Sequence, residues 1–259
     1  MAILLIDIGN TRIKWVRLEA GRVRRARAAA HAGWATRDYA RRVIGAASGI
    51  TRVLVSSVAG AKAERALRTA ARSAGIRCEF VSVPRRGGGI TVGYLEPWRL
   101  GVDRFVAAIG AHHLFPGIPL WVVGVGTAMT LDLISEDGRH KGGVIVPAPA
   151  LMVDTLLART AGIRRRATGG RSASAGLLAR ATRAAIHQGA RYAAAALIDR
   201  GVTEGRKLLG KPPFVVLTGG ESAAVRSLLE SRAVGIPDLV LKGLAVLALE
   251  DRKSPRRRG

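Results

Sequence analysis

Short apolar runs and turn residues set the pattern at the start of the chain. The apolar run at residues 2–7 ends on Asp7, which is typical of a buried strand. Residues 13–18 and 22–30 continue an extended pattern after turn residues at 9–11. The beginning of the chain is therefore predicted to form an antiparallel meander of three strands.

The rest of the first half alternates apolar runs with helical spacing. The predicted elements are, in chain order, helix 36–47, strand 52–58, helix 61–74, strand 78–83 and helix 102–113. A cluster of chain-breaking residues at 115–119 then predicts a boundary between two lobes.

The second half repeats this arrangement. Its predicted elements are strands 120–123, 128–134 and 140–146, helices 149–161 and 173–200, strand 214–217, and helices 221–231 and 239–250. A glycine–threonine turn at 124–127 follows its first strand, as the turn at 9–11 follows the first strand of the chain. The repetition is one of architecture rather than of sequence.

A duplicated arrangement of this kind predicts an α/β protein with two lobes and a ligand-binding cleft between them. The predicted domains are residues 1–116 and 117–250. The basic segment at 251–259 is predicted to be a disordered tail.

Composition narrows the class of protein. Hydrophobic residues make up 48% of the 259 residues, enough for a sizeable core. The single cysteine, Cys78, excludes a disulfide within the chain and is interpreted as a small buried hydrophobe rather than a catalytic thiol. No secretory signal and no apolar stretch of about 20 residues is apparent, so a soluble, cytoplasmic protein is expected.

The net charge is +24, from 42 basic and 18 acidic residues. Such a charge attracts anions, including nucleotides, nucleic acids and anionic membranes. The basic residues are spread along the chain, which favours a solvated basic surface over a nucleic-acid interface. Neither a nucleic acid nor a membrane is an expected partner.

The segment from Asp7 to Lys14 is the first candidate site. An acid at a strand end can hold Mg²⁺, Gly9 lets backbone approach a phosphate, and Thr11 can donate to phosphate oxygens. The alternative is an ordinary hairpin turn, in which Asp, Gly and Asn are common.

Two further glycine turns follow predicted strands. Gly126 and Thr127 lie in a turn that could form a second phosphate loop, and Gly219 and Gly220 could pack against an adenine ring. Each turn is a weak signal alone. Three glycine turns at strand ends, two of them at equivalent positions, are harder to attribute to chance.

Asp103 opens a predicted helix after Gly101 and is a candidate general base for a hydroxyl. The competing interpretation is a residue that caps the helix. Tyr94 lies just upstream. The five histidines show no spacing typical of metal ligands, so no structural zinc site is expected.

Taken together, these motifs resemble those of type III pantothenate kinases, a family that includes the Bvg accessory factor proteins. The resemblance runs from residue 3 to about residue 248. The matching motifs are, in order, Asp7-x-Gly-Asn-Thr, Gly101-x-Asp-Arg104, Gly126-Thr-Ala-x-Thr-x-Asp132, Gly142-Gly-x-Ile-x-Pro147, Thr182-x-x-Ala-Ile186 with Gly189, and Thr218-Gly-Gly220.

The resemblance implies two ribonuclease-H-like lobes of the actin, sugar-kinase and Hsp70 superfamily. It implies ATP-dependent phosphorylation of pantothenate to 4′-phosphopantothenate, the first step of coenzyme A biosynthesis. It also implies a homodimer that uses Mg²⁺ with ATP and a monovalent cation, K⁺ or NH₄⁺.

The resemblance also assigns roles by matched position. Asp103 would be the general base, and Asp7 would hold Mg²⁺. The ATP-binding residues would be Asp7, Gly9, Asn10, Thr11, Lys14, Thr127, Gly219 and Gly220. The pantothenate-binding residues would be Tyr94, Gly101, Arg104 and Thr182.

The chain departs from the family pattern at Gly124, where an aspartate that binds the monovalent cation is usual. Either the cation site is absent, or Asp132 or a backbone carbonyl replaces it, or activity is impaired. The alternative function is therefore a non-catalytic accessory relative, for which an association with nucleic acid stays open. A kinase of the same fold with a different acceptor is a third hypothesis.

Overall fold

The computed structural model describes residues 2–45, 49–168 and 176–253. The chain divides into two compact units. Unit 1 contains the chain up to Gly117, the segment Glu136–Lys141 and the chain from Asp238 onward, and unit 2 contains Ile118–Ser135 and Gly142–Pro237. The domain limits predicted from the sequence stay a prediction.

The elements of the first half are β1 (Ala2–Ile8), β2 (Arg12–Glu19), β3 (Arg22–Val23), β4 (Arg27–Ala30), α1 (Thr36–Tyr39) with a π-helical continuation (Ala40–Ile44), β5 (Ile50–Ser57), α2 (Ala61–Ser73), β6 (Arg77–Phe80), β7 (Arg86–Gly87), β8 (Ile90–Thr91), a 3₁₀ turn (Pro97–Arg99) and α3 (Val102–Leu114).

The elements of the second half are β9 (Leu120–Val125), β10 (Ala128–Ile134), β11 (His140–Pro147), α4 (Pro149–Arg159), α5 (Ala161–Ala167), α6 (Thr182–Leu209), β12 (Phe214–Thr218), α7 (Ser222–Arg226), β13 (Ala233–Gly235) and α8 (Leu239–Lys253). Residues 251–253 of the predicted tail thus belong to the last helix, and residues 254–259 lie outside the described part.

The sheet of unit 1 has the strand order β3-β2-β1-β5-β6, and β4 also pairs with β2. β1 is antiparallel to β2 and parallel to β5. Nearly every residue of β1 is buried, as expected for a central strand covered on both faces. One face packs against α1 and α2 through a cluster that includes Ile6, Val43 and Leu67.

The sheet of unit 2 repeats this order as β11-β10-β9-β12-β13. Its central strand β9 is antiparallel to β10 and parallel to β12, as β1 is to β2 and β5. Both units therefore consist of an antiparallel meander followed by parallel strands. The duplication and the α/β class predicted from the sequence are confirmed.

The predicted third strand, 22–30, is interrupted. Val23 pairs with Leu18 and Arg27 pairs with Trp15, so the three residues 24–26 face only two residues of β2. This extra residue is a bulge, which bends the strand and splits it into β3 and β4.

The predicted helix 173–200 is wrong at both ends. The described part of this segment becomes helical only at Thr182, and the helix continues through Gly201 to Leu209. Gly201 lies inside the helix, where it allows close packing. A Cβ at this position would lie 2.4 Å from the Trp121 ring. The helix ends instead at Gly210, which adopts a left-handed φ of 75°.

The predicted helix 221–231 is also shorter than expected. It ends at Arg226, and the chain then forms the short strand β13, which pairs with β12 in parallel. That strand was missed because three residues are too few to show a period of two.

Helices α3 and α8 of unit 1 pack closely at two glycines. A Cβ at Gly243 would lie 1.9 Å from the Val106 carbonyl oxygen, and one at Gly110 would lie 2.6 Å from the Leu239 carbonyl oxygen. Glycine is thus required at the crossing of the two helices. This crossing fixes the positions from which both helices begin.

Among the helices of the described ranges, none combines the length and the apolar character needed to cross a membrane.

Candidate functional site

Asp7 lies near the end of β1, directly opposite Lys14 of β2 in the antiparallel register. The turn between the strands contains the exposed residues Asn10 and Thr11. It is closed by the Gly9 amide, which donates to the Arg12 carbonyl at 3.0 Å. A Cβ at Gly9 would lie 3.3 Å from that carbonyl oxygen, so the tight turn favours glycine.

His31 supports this turn from β4 and the loop after it. Its Nε2 donates to the Gly9 carbonyl at 2.7 Å, and its backbone amide donates to the Thr11 carbonyl at 3.4 Å. The Tyr39 hydroxyl lies 3.4 Å from His31 Nδ1. Sequence reasoning did not connect His31 with the turn, because its separation of 22 residues from Gly9 leaves no local signal.

Asp103 lies in the first turn of α3, and Gly101 is the N-cap of that helix. The Arg104 amide donates to Asp103 Oδ1 at 2.9 Å, so the carboxylate satisfies one amide of the helix start. A Cβ at Gly101 would lie 2.7 Å from the same oxygen. Glycine at 101 therefore leaves room for the carboxylate to fold back over the helix end.

Asp7 and Asp103 are close enough to affect each other's charge. Burial raises the pKa of the Asp7 carboxyl from 3.8 to about 7, and the carboxylates of Asp103 and Asp238 act in the same direction. The Lys14 ammonium and the Ser56 hydroxyl, which is in register with Asp7 on β5, act in the opposite direction.

This cluster suits Mg²⁺ delivered with a nucleotide. A half-buried carboxylate whose ionised form is disfavoured gains from a divalent cation. Within the described residues, no group of three or more His, Cys, Asp or Glu could hold a metal ion by itself. Mg²⁺ commonly takes only one or two carboxylates and completes its shell with water and phosphate oxygens, so the donor set fits.

Lys14 forms an ion pair with Asp238, the residue just before α8. Its Nζ donates to Asp238 Oδ1 at 2.9 Å, and both side chains are about one-third exposed, 30% and 34%. The two residues are 224 positions apart in the chain, so no sequence pattern indicated this contact.

Tyr94 and Arg104 form a second part of the unit 1 site. Arg104 is 5% exposed, and its Nη1 donates to the Tyr94 hydroxyl at 3.0 Å. The guanidinium of Arg85 donates to the carbonyls of Tyr94 and Leu95 at 2.6 and 2.7 Å, which fixes the loop. The His140 ring lies 5.6 Å from the Tyr94 ring.

Unit 2 brings two of the predicted glycine turns together. Gly219 has a φ of 101°, and a Cβ there would lie 2.1 Å from the Val125 carbonyl oxygen. The turn at 218–220 therefore lies against the turn at 124–127. Thr127 is exposed, and its carbonyl accepts from the Ala148 amide at 3.2 Å.

Position 124 leaves little room for a side chain. A Cβ there would lie 3.0 Å from the Thr130 hydroxyl, its partner in the register of β9 and β10. Asp132, two residues further along β10, is 2% exposed. Thr182, at the start of α6, is half-buried.

The structure thus places the predicted site residues in two groups. The unit 1 group is Asp7, Gly9, Asn10, Thr11, Lys14, Tyr94, Gly101, Asp103 and Arg104. The unit 2 group is Thr127, Asp132, Thr182, Gly219 and Gly220. Asp238 and His31 join the first group without having been predicted.

Comparison with known proteins gives one consistent result. Residues 3–204 match the model of the type III pantothenate kinase family. The chain is 36% identical to the type III pantothenate kinase of Nitrosococcus oceani, covering 98% of this chain and 96% of that one. It is 38% identical to the type III pantothenate kinase of Herminiimonas arsenicoxydans, and the match covers 95% of this chain and 97% of that one.

Solved structures share the fold at low identity. They include a protein from Campylobacter jejuni named as a Baf family transcriptional activator (TM-score 0.59, 17% identity, 97% of this chain and 100% of that one). Component A of (R)-2-hydroxyglutaryl-CoA dehydratase from Acidaminococcus fermentans has a TM-score of 0.55, 14% identity, and coverage of 96% and 97%. A ROK family protein from Streptococcus pneumoniae has a TM-score of 0.54, 15% identity, and coverage of 98% and 99%.

Proposed function

The chain belongs to the type III pantothenate kinase family, and we propose that the residues around Asp7 and Asp103 carry out its reaction. The enzyme transfers a phosphoryl group from ATP to pantothenate and gives 4′-phosphopantothenate, the first step of coenzyme A biosynthesis. The fold is that of the actin and sugar-kinase superfamily. The alternative of a non-catalytic accessory protein is not retained, because the relatives that share a third of the residues are kinases.

One observation carries the assignment of the site. Asp7, at the end of the central strand of unit 1, is subject to the charges of Asp103 and Lys14. The three residues to which we assign cation binding, proton acceptance and phosphate binding thus lie within one unit. Phosphoryl transfer needs this combination of positioning and charge neutralisation more than covalent chemistry.

The proposed reaction assigns one task to each group. Asp103 accepts the proton of the primary hydroxyl as that oxygen bonds to the γ-phosphorus, and the bond from the γ-phosphorus to the bridging oxygen breaks to release ADP. Lys14 and the exposed turn residues Asn10 and Thr11 bind phosphate oxygens. Asp7 would hold the Mg²⁺ that accompanies ATP, and the cation would supply neutralisation of phosphate charge. Tyr94 and Arg104, with Gly101 and Thr182, bind pantothenate.

In unit 2 we assign nucleotide contacts to Thr127, Gly219 and Gly220. The support is the close packing of the two turns that contain them, since Gly219 has no room for a side chain beside Val125. We do not extend the proposal to metal binding by Asp132, because its carboxylate is buried within β10.

The experiment is an assay of pantothenate-dependent ADP release with MgATP. We expect turnover in the wild type and a loss of about 10²-fold or more in kcat for Asp103→Asn, since a general base contributes roughly 10²–10⁴-fold. The Asp154→Asn variant, which removes an exposed carboxylate from α4, is the matched control. Turnover that does not depend on pantothenate, or an unaffected Asp103→Asn variant, would reject the assignment.

We also propose that this enzyme works without a monovalent cation at position 124. Gly124 offers no carboxylate, and the Thr130 hydroxyl lies at the edge of the space that a side chain would enter. Turnover should therefore be equal, within about twofold, in K⁺, NH₄⁺ and Na⁺ at constant ionic strength. A strong requirement for K⁺ or NH₄⁺ would show that another group supplies the site.

A homodimer and a cytoplasmic location complete the proposal. The family resemblance supports the dimer, and sedimentation of the full chain tests it by giving twice the monomer mass of 27.3 kDa. ATP as substrate and a single cysteine support a reducing cytoplasm. Fractionation of cells that express the protein at native level tests the location.

A further inference from the structure

We propose that Asp238 is a positioning residue of the phosphate site, which holds the Lys14 ammonium in place for the nucleotide phosphates. The proposal rests on the function assigned to Asp7 and Asp103. It starts from the ion pair of 2.9 Å between Lys14 Nζ and Asp238 Oδ1. Lys14 has three ammonium protons, so the pair leaves two donors available for phosphate oxygens.

The backbone at Asp238 is the second observation. Asp238 has a φ of 55°, and in the described ranges only Ala20 shares a positive φ among residues other than glycine. The left-handed region is unfavourable for a residue with a Cβ, although Asp tolerates it better than most. Glycine would satisfy the backbone with less strain, so the presence of a carboxylate indicates a use for the side chain.

The partial burial of the ion pair is the third observation. The side chains of Lys14 and Asp238 are only about one-third exposed, 30% and 34%. The contact therefore restricts the Lys14 side chain more than a fully solvated ion pair would.

The helices explain how Asp238 reaches the site. Asp238 precedes α8, and its carbonyl accepts from the Lys242 amide at 3.1 Å in the first turn of that helix. α8 packs on α3 through Gly110 and Gly243, and α3 begins beside Asp103. The same helix pair thus positions both acids that act on Asp7.

The test uses two substitutions of Asp238 that differ in whether a side chain able to accept from Lys14 remains. Asp238→Gly removes the carboxylate and relieves the left-handed strain, whereas Asp238→Asn keeps the size and one oxygen that can accept from Lys14. We expect Asp238→Gly to be at least as stable as the wild type, and its KM for MgATP to rise about tenfold or more with a smaller change in kcat. Asp238→Asn should have an intermediate KM.

The Ala20→Gly variant is the control, because it relieves the other positive φ in an exposed turn away from the site. It should leave both the KM and kcat unchanged. A Lys14→Met variant should make the further change Asp238→Gly nearly silent, since the two residues act as a pair.

Binding of MgATP measured by calorimetry separates this proposal from the assigned function. If the wild type binds MgATP but does not phosphorylate pantothenate, the assigned function fails and the Asp238 series still tests positioning. An Asp238→Gly variant with wild-type affinity for MgATP would overturn the proposal. So would a loss of affinity that remains fully additive with Lys14→Met.

Discussion

The Asp7 carboxyl links the chemistry of the site to the stability of the fold. Its pKa is raised by burial from 3.8 to about 7 in the metal-free protein. Between these two values the unfolded chain has released the proton while the folded chain retains it, so the free energy of unfolding falls as the pH rises. A pKa shift of this size lowers the free energy of unfolding by roughly 4 kcal/mol at most. We expect Mg²⁺ at the proposed site to offset this loss by stabilising the ionised form.

The Asp7→Asn substitution should therefore stabilise the metal-free protein while it abolishes turnover. The gain in the free energy of unfolding should be small near pH 4, grow up to about pH 7 and stay constant above that pH. At pH 8 we expect a gain of about 1–4 kcal/mol. Urea unfolding in the presence of EDTA at pH 4.5, 6 and 8 measures it.

Asp154→Asn serves here as the control for the loss of one negative charge, because Asp154 is exposed on α4. Its effect on stability should be within about 0.5 kcal/mol at each pH. A gain for Asp7→Asn that is equal at all three pH values would contradict the link to ionisation.

His31 leads to a second prediction about a single residue. His31→Ala removes the donor to the Gly9 carbonyl and the partner of the Tyr39 hydroxyl. The loss of such bonds costs about 1–3 kcal/mol where a polar group stays buried. We expect the KM for MgATP to rise several-fold, because the turn that binds phosphate is less well held.

The amide nitrogen of Gln can occupy the place of His31 Nε2, so His31→Gln should recover most of the affinity for MgATP. An equal loss of affinity for MgATP in His31→Ala and His31→Gln would show that His31 acts through packing against Trp34 rather than through the hydrogen bond. Titration of MgATP into each variant by calorimetry measures the difference.

The sequence pointed to those residues of the candidate site that lie in local motifs, and it did not point to those that reach the candidate site through tertiary contacts. Asp7, Gly9 and Lys14 belong to one strand–turn–strand segment, so their spacing indicated a phosphate loop. His31 and Asp238 come from elsewhere in the chain, and their contacts depend on how α8 and the loop after β4 pack. No period or motif in a single sequence encodes such contacts.

At the scale of elements, glycine decides how closely helices approach. Gly243→Ala places a methyl group 1.9 Å from the Val106 carbonyl oxygen, so α8 must move away from α3. Overpacking of this kind typically costs about 1–3 kcal/mol and here involves rigid backbone. We expect a lower midpoint of urea unfolding and reduced turnover, because both helices begin at the site.

Gly162→Ala in α5 is the control, since within the described residues no atom outside its own stretch of helix lies within 4 Å of the added Cβ. Its stability should be unchanged or slightly higher, because alanine favours helix over glycine by up to about 1 kcal/mol. If Gly243→Ala were as stable as this control, the close crossing of α3 and α8 would be disproved.

The same glycines explain which elements were predicted well. Helices and strands with strong periods, such as α2, α3 and β10, match their predicted limits closely. Helix α6 was predicted to stop at residue 200, just before Gly201, yet Gly201 lies against the Trp121 ring within the helix. A glycine that allows packing cannot be distinguished from one that ends a helix without knowledge of the tertiary neighbours.

At the scale of the whole molecule, the repeated antiparallel meander could be predicted, because the same pattern of strands and glycine turn opens both halves of the chain. The return of two later parts of the chain to unit 1 could not be predicted. Glu136–Lys141 and the chain from Asp238 onward belong to unit 1 although they follow parts of unit 2. A unit built from separate parts of the chain depends on contacts between residues far apart in the sequence, whereas the predicted domain limits assume continuous segments.

The net charge of +24 is the remaining property of the whole chain, and it has two opposite consequences. With 42 basic and 18 acidic residues, at least 24 basic side chains have no carboxylate of their own. Their mutual repulsion opposes folding, and their field attracts anionic substrates. Salt weakens both effects, because the Debye length falls from about 30 Å at 0.01 M to about 8 Å at 0.15 M.

Raising NaCl from about 0.01 to 0.15 M should therefore increase the melting temperature by several degrees, since about 1 kcal/mol corresponds to 2–4 °C for a chain of this size. Over the same range kcat/KM for MgATP should fall several-fold, because the attraction of the basic surface for the nucleotide is screened. Sucrose at equal osmolality should leave kcat/KM unchanged. A melting temperature that falls with salt would show that ion pairs, rather than repulsion, dominate the charge balance of the fold, and an unchanged kcat/KM would show that the excess charge lies too far from the site to steer the nucleotide.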